Sequence, residues 1–273
     1  MSFSVNTNAG ALIALQNLNK TNRSLNVVQN RINTGLKVSG AKDNASIFAI
    51  AQSQRAELGG YNAVRSSLDR AKGAADVALA GAEAISDLLI ELKTLAVQAK
   101  DPGTDNVSRG LLDLEFSQIA QQVATIVESA EFNGKNALQT DDIVAITDPA
   151  ATSAQAIRIT ASNIGPQAAL LDTLFSLNTA GSATLAFNAV EGLQDYLNGE
   201  IAKIGAGAKR IEIVGEFVEK TSDAIEVGIG KLVDADLARE SASLQSLQVK
   251  QQLGLQALSI ANQTPSTILS LFG

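Results

Sequence analysis

From Tyr61 to Ala99 the chain keeps one apolar stripe without a break. Tyr61, Val64, Leu68, Ala71, Ala75, Ala78, Ala82, Ile85, Leu89, Leu92, Ala96 and Ala99 follow one another at alternating spacings of three and four residues. This is the seam of a coiled coil. Its middle is alanine, so a partner helix can approach closely there. Asp101-Pro102-Gly103 ends the segment, as a strong helix breaker should. The same spacing restarts with Leu112, Phe116, Ile119, Val123, Ile126 and Ala130. A break that short predicts antiparallel helices, and Asn133-Gly134 marks the next turn.

A longer signal follows. Val190, Leu197, Ile204, Ile211, Val218, Ile225 and Leu232 fall seven residues apart. At ~1.5 Å per residue, a helix from about 183 to 232 is roughly 75 Å long, and the 61–99 stretch roughly 58 Å. Between these helices, residues 135–180 change character. Ile143-Val144-Ala145-Ile146 and Ile157-Arg158-Ile159-Thr160 are β-branched runs around a loop containing Thr147-Asp148-Pro149, which reads as a β-hairpin. Asn163-Ile164-Gly165-Pro166 closes it, and Leu170–Leu177 reads as one short helical piece. The expected fold is mainly α: an elongated, coiled-coil-like bundle of long helices with a small β-hairpin region.

Both ends of the chain lack charge. Residues 1–19 and 251–273 contain no Asp, Glu, Lys or Arg. Leu18, Leu25 and Ile32 are seven apart, while Leu247, Leu258 and Leu269, and likewise Val249, Ile260 and Leu271, are eleven apart. An eleven-residue repeat gives a nearly straight packing line. Both ends therefore read as helices with an apolar stripe, and Pro265 should kink or restart the last one. Where such helices normally display Lys and Glu, these display amides. Asn17, Asn19, Asn22, Asn26, Asn30 and Asn33 lie near the start, and Gln245, Gln248, Gln251, Gln252, Gln256 and Gln263 near the end. Buried charges are costly unless paired, whereas buried amides need only hydrogen bonds. The eight large apolar side chains of the last 23 residues are too few to offset the entropy of ordering that segment alone. The N- and C-terminal helices are therefore expected to pair, and many copies then to pack together. An ordinary intramolecular coiled coil is the simpler alternative. A membrane-surface helix fits less well, because it would favour Lys and Arg on its polar face.

Composition narrows the chemistry. The chain has no Cys and no His, which removes disulfides, thiolate metal sites and the commonest general base. A net charge of −7 argues against general binding to nucleic-acid phosphates. No segment reads as a secretory signal, and no apolar run suits membrane insertion. Asp234 with Asp236, or Asp141 with Asp142, are the only carboxylate pairs considered for enzymatic or cation chemistry. They read better as a polar helix junction and a loop before a strand. No catalytic residue, metal or cofactor is expected.

One stretch resembles a known family. Arg31-Ile32-Asn33-Thr34-Gly35-Leu36-Lys37-Val38-Ser39-Gly40-Ala41-Lys42-Asp43-Asn44-Ala45 is similar to the flagellin pattern R-L-S-S-G-L-R-I-N-S-A-K-D-D-A. Leu95-Ala96-Val97-Gln98-Ala99 resembles its L-A-V-Q-A segment, and Phe132-Asn133-Gly134 its F-N-G turn. Ala261-Asn262-Gln263-Thr264-Pro265 and Leu269-Ser270-Leu271 resemble its A-N-Q-x-P and L-S-L ending. The matches run in order over about residues 1–140 and 183–273.

The resemblance implies a short flagellin without the outer variable domains, that is, a structural subunit of the bacterial flagellar filament used for swimming. It implies an inner terminal-helix domain, 1–44 plus 234–273, which forms the filament core and is disordered as a monomer. A helical rod domain, 45–233, would follow, with the hairpin region at about 135–165. The stripes Leu15, Leu18, Leu25, Ile32, Leu247, Val249, Leu258, Ile260, Leu269 and Leu271 would form the self-assembly interface. Gly35, Ser39 and Gly40 would sit in a non-helical spoke at about 34–46. Implied partners are the chain itself, alone or with sister flagellins, the type III export apparatus, an export chaperone, and the filament cap and hook-junction proteins. Implied localisation is secreted and extracellular. Where many members carry R-x-R-E-L, this chain reads Glu91-Leu92-Lys93-Thr94-Leu95. Glu91, Leu95 and Glu115 thus map to a patch that joins protofilaments and meets an innate immune receptor, with one charge reversed. Thr152, Ser153 and Ser162 are candidate glycosylation sites. The alternative within the family is a hook–filament junction protein. A chain without His cannot carry the H-E-x-x-H protease insert of some members.

Overall fold

The structure is a computed structural model describing residues 7–150 and 155–269, with side chains described up to Gln263 at the C-terminal end. In chain order the elements are α1 (Ala9–Thr34), α2 (Ala45–Lys100), α3 (Asn106–Ser129), β1 (Ile143–Ala145), β2 (Ile157–Ile159), α4 (Gly165–Leu174), α5 (Ala180–Val233) and α6 (Leu237–Leu269). They form two compact units. One is drawn from Met1–Ala56 and Ala224–Gly273, the other from Glu57–Asp223.

In the Glu57–Asp223 unit, every seam position of α2 from Val64 to Ala99 is buried, and Tyr61 packs against that core. Phe116, Val123 and Val127 of α3 and Val190, Leu197, Ile204, Ile211 and Val218 of α5 join it. Alanines at 71, 75, 78 and 82 are each at most 4% exposed, so the helices meet there without large side chains between them. The turn from α2 to α3 is held by Arg109. Its Nε donates to the Ala99 carbonyl and its Nη2 to the Asp101 carbonyl, each at 2.9 Å. Carbonyls at a helix end have no intrahelical partner, and here a guanidinium buried to 8% exposure supplies one. Asp105 caps α3 by accepting from the Ser108 N–H.

The hairpin pairs Ile143 with Ile159 and Ala145 with Ile157, antiparallel. These four side chains are buried, while Val144 and Arg158 point outward, the period-two alternation of a half-buried sheet. Glycines let this layer lie on the helices. A Cβ at Gly73 would stand 2.9 Å from the Phe132 ring, and one at Gly207 would stand 2.5 Å from Ile159 Cγ1.

Three expectations are corrected. The short helix runs Gly165–Leu174, earlier than Leu170–Leu177. Pro166 sits at its start, where a fixed φ and a missing N–H favour initiation, and Phe175 is already extended. On α5 the heptad positions are buried only through Val218; Ile225 and Leu232 are partly exposed, and Ile229 and Val233 are buried instead. An α-helix drifts about 20° per heptad against a strict seven-residue repeat, so a long run loses its register. Finally, of the kink or restart expected at Pro265, the restart does not occur, because α6 continues through it to Leu269.

Candidate self-assembly interface

In the unit of the termini, α1 and α6 run antiparallel. Asn8 reaches Ala261, Asn22 reaches Gln251, and Arg31 pairs with Glu240. Leu18 packs against Gly254, where an added Cβ would meet its Cδ1 at 3.3 Å. The seam consists of Leu18, Leu25 and Val28, all buried, with Ile32, Leu247 and Leu258 partly buried. Only one charged pair appears along it among the described residues: Arg31 Nη1 to Glu240 Oε1 at 3.0 Å, at the end next to the following loop. Elsewhere amides bridge the helices. Gln251 Nε2 donates to Asn22 Oδ1 at 2.8 Å.

The sequence-predicted stripe therefore divides. Leu18, Leu25, Ile32, Leu247 and Leu258 face the partner helix. Leu15, Val249 and Ile260 are exposed, at 42%, 53% and 67%. The side chain of Leu269, and Leu271 altogether, lie outside the described residues. The predicted stripe omits Leu12, Ile13, Val27, Leu253 and Leu255, each more than 40% exposed, although Leu253 and Leu255 are among the eight large apolar side chains of the last 23 residues. None belongs to the seven- and eleven-residue series described above, although Leu253 lies seven residues before Ile260 and Leu255 eleven after Leu244.

The expected spoke is the non-helical segment between α1 and α2. Gly35 ends α1 with φ 71°, a left-handed conformation that favours glycine. The Lys37 and Val38 N–H groups both donate to the Val233 carbonyl, and Ala235 N–H to the Gly35 carbonyl. Ser39 donates through both N–H and Oγ, and Gly40 through its N–H, to a single oxygen of Asp43. The hydrogen bonds from the Ser39 hydroxyl and N–H hold the Asp43 carboxyl below its ordinary pKa. Gly40 has neither a positive φ nor a crowded Cβ position, so the backbone does not require glycine there. The organising residue of this segment is Asp43.

Glu91 and Glu115 are exposed on α2 and α3, but Leu95 is 6% exposed and belongs to the core. Lys93 is engaged with α5: its Nζ lies 3.0 Å from Glu191 and 5.2 Å from the centre of the Phe187 ring. Ser162 is fully buried, which removes it as a glycosylation site, and Thr152 and Ser153 lie outside the described residues. Three of the four candidate carboxylates hold structural hydrogen bonds. Asp236 caps α6, Asp141 accepts from the Asn136 N–H, and Asp142 pairs with Arg158 and accepts from Ala161 N–H. Among the described residues, no group of three His, Cys, Asp or Glu side chains is placed to hold a metal.

A helical unit with alanine-lined seams, together with a unit of paired terminal helices that leave large apolar side chains exposed, defines a structural protein of the self-associating kind. The comparisons with known proteins give its family. Residues 5–142 match the bacterial flagellin N-terminal helical region and residues 187–272 the C-terminal helical region. Flagellin FljM of Caulobacter vibrioides is 42% identical, covering 98% of each chain, and a flagellin of Brucella melitensis is 36% identical, covering 98% of this chain and 99% of its own. Among solved structures, Bacillus cereus flagellin aligns with a TM-score of 0.51 at 20% identity, over 56% of this chain and 88% of its own. A flagellar hook-associated protein from Vibrio parahaemolyticus aligns at 0.57 and 10% identity, over 70% of this chain and 100% of its own. At such identities these two likenesses show the fold alone. The chain belongs to the bacterial flagellin family. It is a structural filament subunit, not an enzyme, and its family self-assembles into the flagellar filament that lies outside the cell.

Proposed function

We propose that residues 1–44 with 234–273 form the inner core of the filament and become fully ordered only among neighbouring copies, and that 45–233 form the surrounding rod. The observation carrying this reading is the set of large apolar side chains left exposed away from the α1–α6 seam: Leu12, Ile13, Leu15 and Val27 on α1, and Val249, Leu253, Leu255 and Ile260 on α6. Side chains of this kind scattered singly are ordinary, but a contiguous patch marks an interaction surface. No charged residue lies within 1–19 or 251–263, the segments that carry Leu12, Ile13, Leu15, Leu253, Leu255 and Ile260, while exposed Lys20, Arg23 and Lys250 stand near Val27 and Val249. The loop around Gly35, Ser39, Gly40 and Asp43 then serves as the spoke between core and rod.

The same reading assigns the finer partners. The chain leaves the cell through the flagellar type III apparatus with an export chaperone and adds to a growing tip between cap and hook-junction proteins, alone or with sister flagellins. The lack of Cys suits a chain that must stay unfolded during export. Removing residues 251–273 tests the core assignment. The expected product is a soluble monomer that never polymerises in electron micrographs after salt addition. Normal filaments from it would overturn the assignment.

A further inference from the structure

The Glu57–Asp223 unit carries two unlike surfaces on opposite flanks. The first is a stripe on α5. Arg210, Ile213, Phe217 and Lys220 follow at spacings of three and four residues and so share one face. Ile213 is 57% and Phe217 63% exposed. Lys220 is held only by a 3.9 Å contact to Glu216 between two exposed side chains, a pairing of little strength. The carboxylates of Glu212 and Glu219 are taken by Lys209 and Arg65, and exposed Arg210 has no ion-pair partner among the described residues. The second surface is a groove between α2 and α3. Leu111 and Leu112 line it from α3, Gln98 and Asp101 from the end of α2, and Glu115 stands one turn further along α3. Exposed Glu91 is seven residues before Gln98, on the same face of α2. The cations of α2 at this level, Lys93 and Lys100, turn to α5 instead, so the groove is acidic and its carboxylates lack cations.

The directions of the two surfaces follow from the helices. α5 runs antiparallel to α2, with Glu191 beside Lys93 and Glu219 beside Arg65. At about 100° per residue, Phe217 lies roughly 160° around α5 from Glu219, and Gln98 roughly 140° around α2 from Lys93. The stripe therefore faces away from α2 and the groove away from α5. Copies that point the same way and stand side by side bring the stripe of one to the groove of the next with no turn between them. A helical polymer needs two such different, mutually fitting surfaces on each subunit. The same helix pairing puts Phe217 level with about residue 67 of α2, so the stripe is centred roughly 40 Å along the unit from the groove. A chain cannot fill its own groove, and a neighbour staggered by that distance can. Arg210 and Lys220 stand ten residues apart, as do Asp101 and Glu91, roughly 15 Å in each case. Because α5 and α2 are antiparallel, Arg210 and Asp101 are each the end nearer the α2–α3 turn. Cation meets carboxylate at both ends, and the apolar side chains meet between them, in one register.

We propose that the α5 stripe of one copy seats in the α2–α3 groove of a neighbouring copy, with Phe217 against Leu111 and Leu112, Arg210 against Asp101, and Lys220 against Glu91 and Glu115. This rests on the filament reading above and names the two surfaces that meet. The absence of Cys makes the contact directly testable. The single variants L111C and F217C are mixed one to one, polymerised, treated with a short bis-maleimide cross-linker and run on a denaturing gel. The expected result is a covalent dimer from the mixed filaments, and none from either variant polymerised alone or from the mixture before assembly. Mixed filaments that yield no dimer, or a dimer from one variant alone, overturn the contact, leave the groove to a different partner and leave the filament reading standing. Wild-type chain that forms no filaments overturns both. A second arm needs no Cys. Full-length K220E is expected to slow seeded elongation about tenfold, with E91K in the same chain restoring it. Elongation by K220E at the wild-type rate, or no recovery with E91K, overturns the register.

Discussion

The side-chain amide of Asn8 donates to the carbonyl of Ala261 at 2.7 Å, from one end of the chain to the other. Ala261 is four residues before Pro265, and proline has no N–H to give that carbonyl. Asn8 Oδ1 meanwhile accepts from the Ala11 N–H and caps α1. One amide therefore satisfies an orphan donor on one helix and an orphan acceptor on the other. Only one orientation of that amide serves both.

This relationship predicts a double-mutant cycle. N8D keeps the cap acceptor but loses the donor, and should lower filament melting temperature. P265A restores an N–H to Ala261, so N8D should cost distinctly less in that background. N8A removes the cap as well and should cost about 1 kcal/mol more, as lost caps do. An equal N8D penalty in both backgrounds would contradict the assignment.

The hairpin rests on α5 because Gly207 has no side chain. G207A places a carbon 2.5 Å from Ile159 Cγ1, and overpacking of this kind costs about 1–3 kcal/mol. Combining it with I159A removes the colliding atoms. In thermal unfolding followed by circular dichroism, the double variant should be destabilised by less than the sum of the two single changes. Simple additivity would show that the hairpin does not press on this position.

Asp43 ties the segment between α1 and α2 to pH. Its pKa is held below the ordinary 3.8, first by the Ser39 hydroxyl, then by the Ser39 N–H. A depressed carboxylate stabilises fully above the ordinary value, and that contribution is lost as the pH falls through the lowered pKa. D43N should weaken filaments at neutral pH and flatten the acid limb of their stability below pH 4. Light scattering during acid titration reads both, and an unchanged acid limb would assign the sensitivity to other groups.

The resemblance aligns Glu91 with the first Arg of the R-x-R-E-L pattern, and we propose that it reverses the charge of a receptor patch there. Reporter cells bearing the innate flagellin receptor should respond weakly to this chain, and E91R should raise the response. A wild-type response equal to that of an Arg-bearing flagellin would remove Glu91 as the determinant. Leu95 is not the residue to alter first, because its burial makes any substitution a change of core packing.

The spacing of apolar residues along the chain determined the long helices of this protein, the break at Asp101-Pro102-Gly103, the hairpin strands and the apolar terminal helices. It did so because a residue's angle around its own helix, or its side of a strand, follows from its position alone. The tertiary structure decided what occupies each angle. It put Leu18 and Leu25 against α6 and left Leu12 and Ile13 exposed, though all four are equally apolar. It assigned Arg109 to helix carbonyls, Asp43 to the N–H groups of its loop and Asn8 to Ala261, contacts between polar groups with no periodic signature. It also moved the buried face of α5 from Ile225 to Ile229, since the drift between 3.5 and 3.6 residues per turn matters only once a neighbour fixes which side is inside.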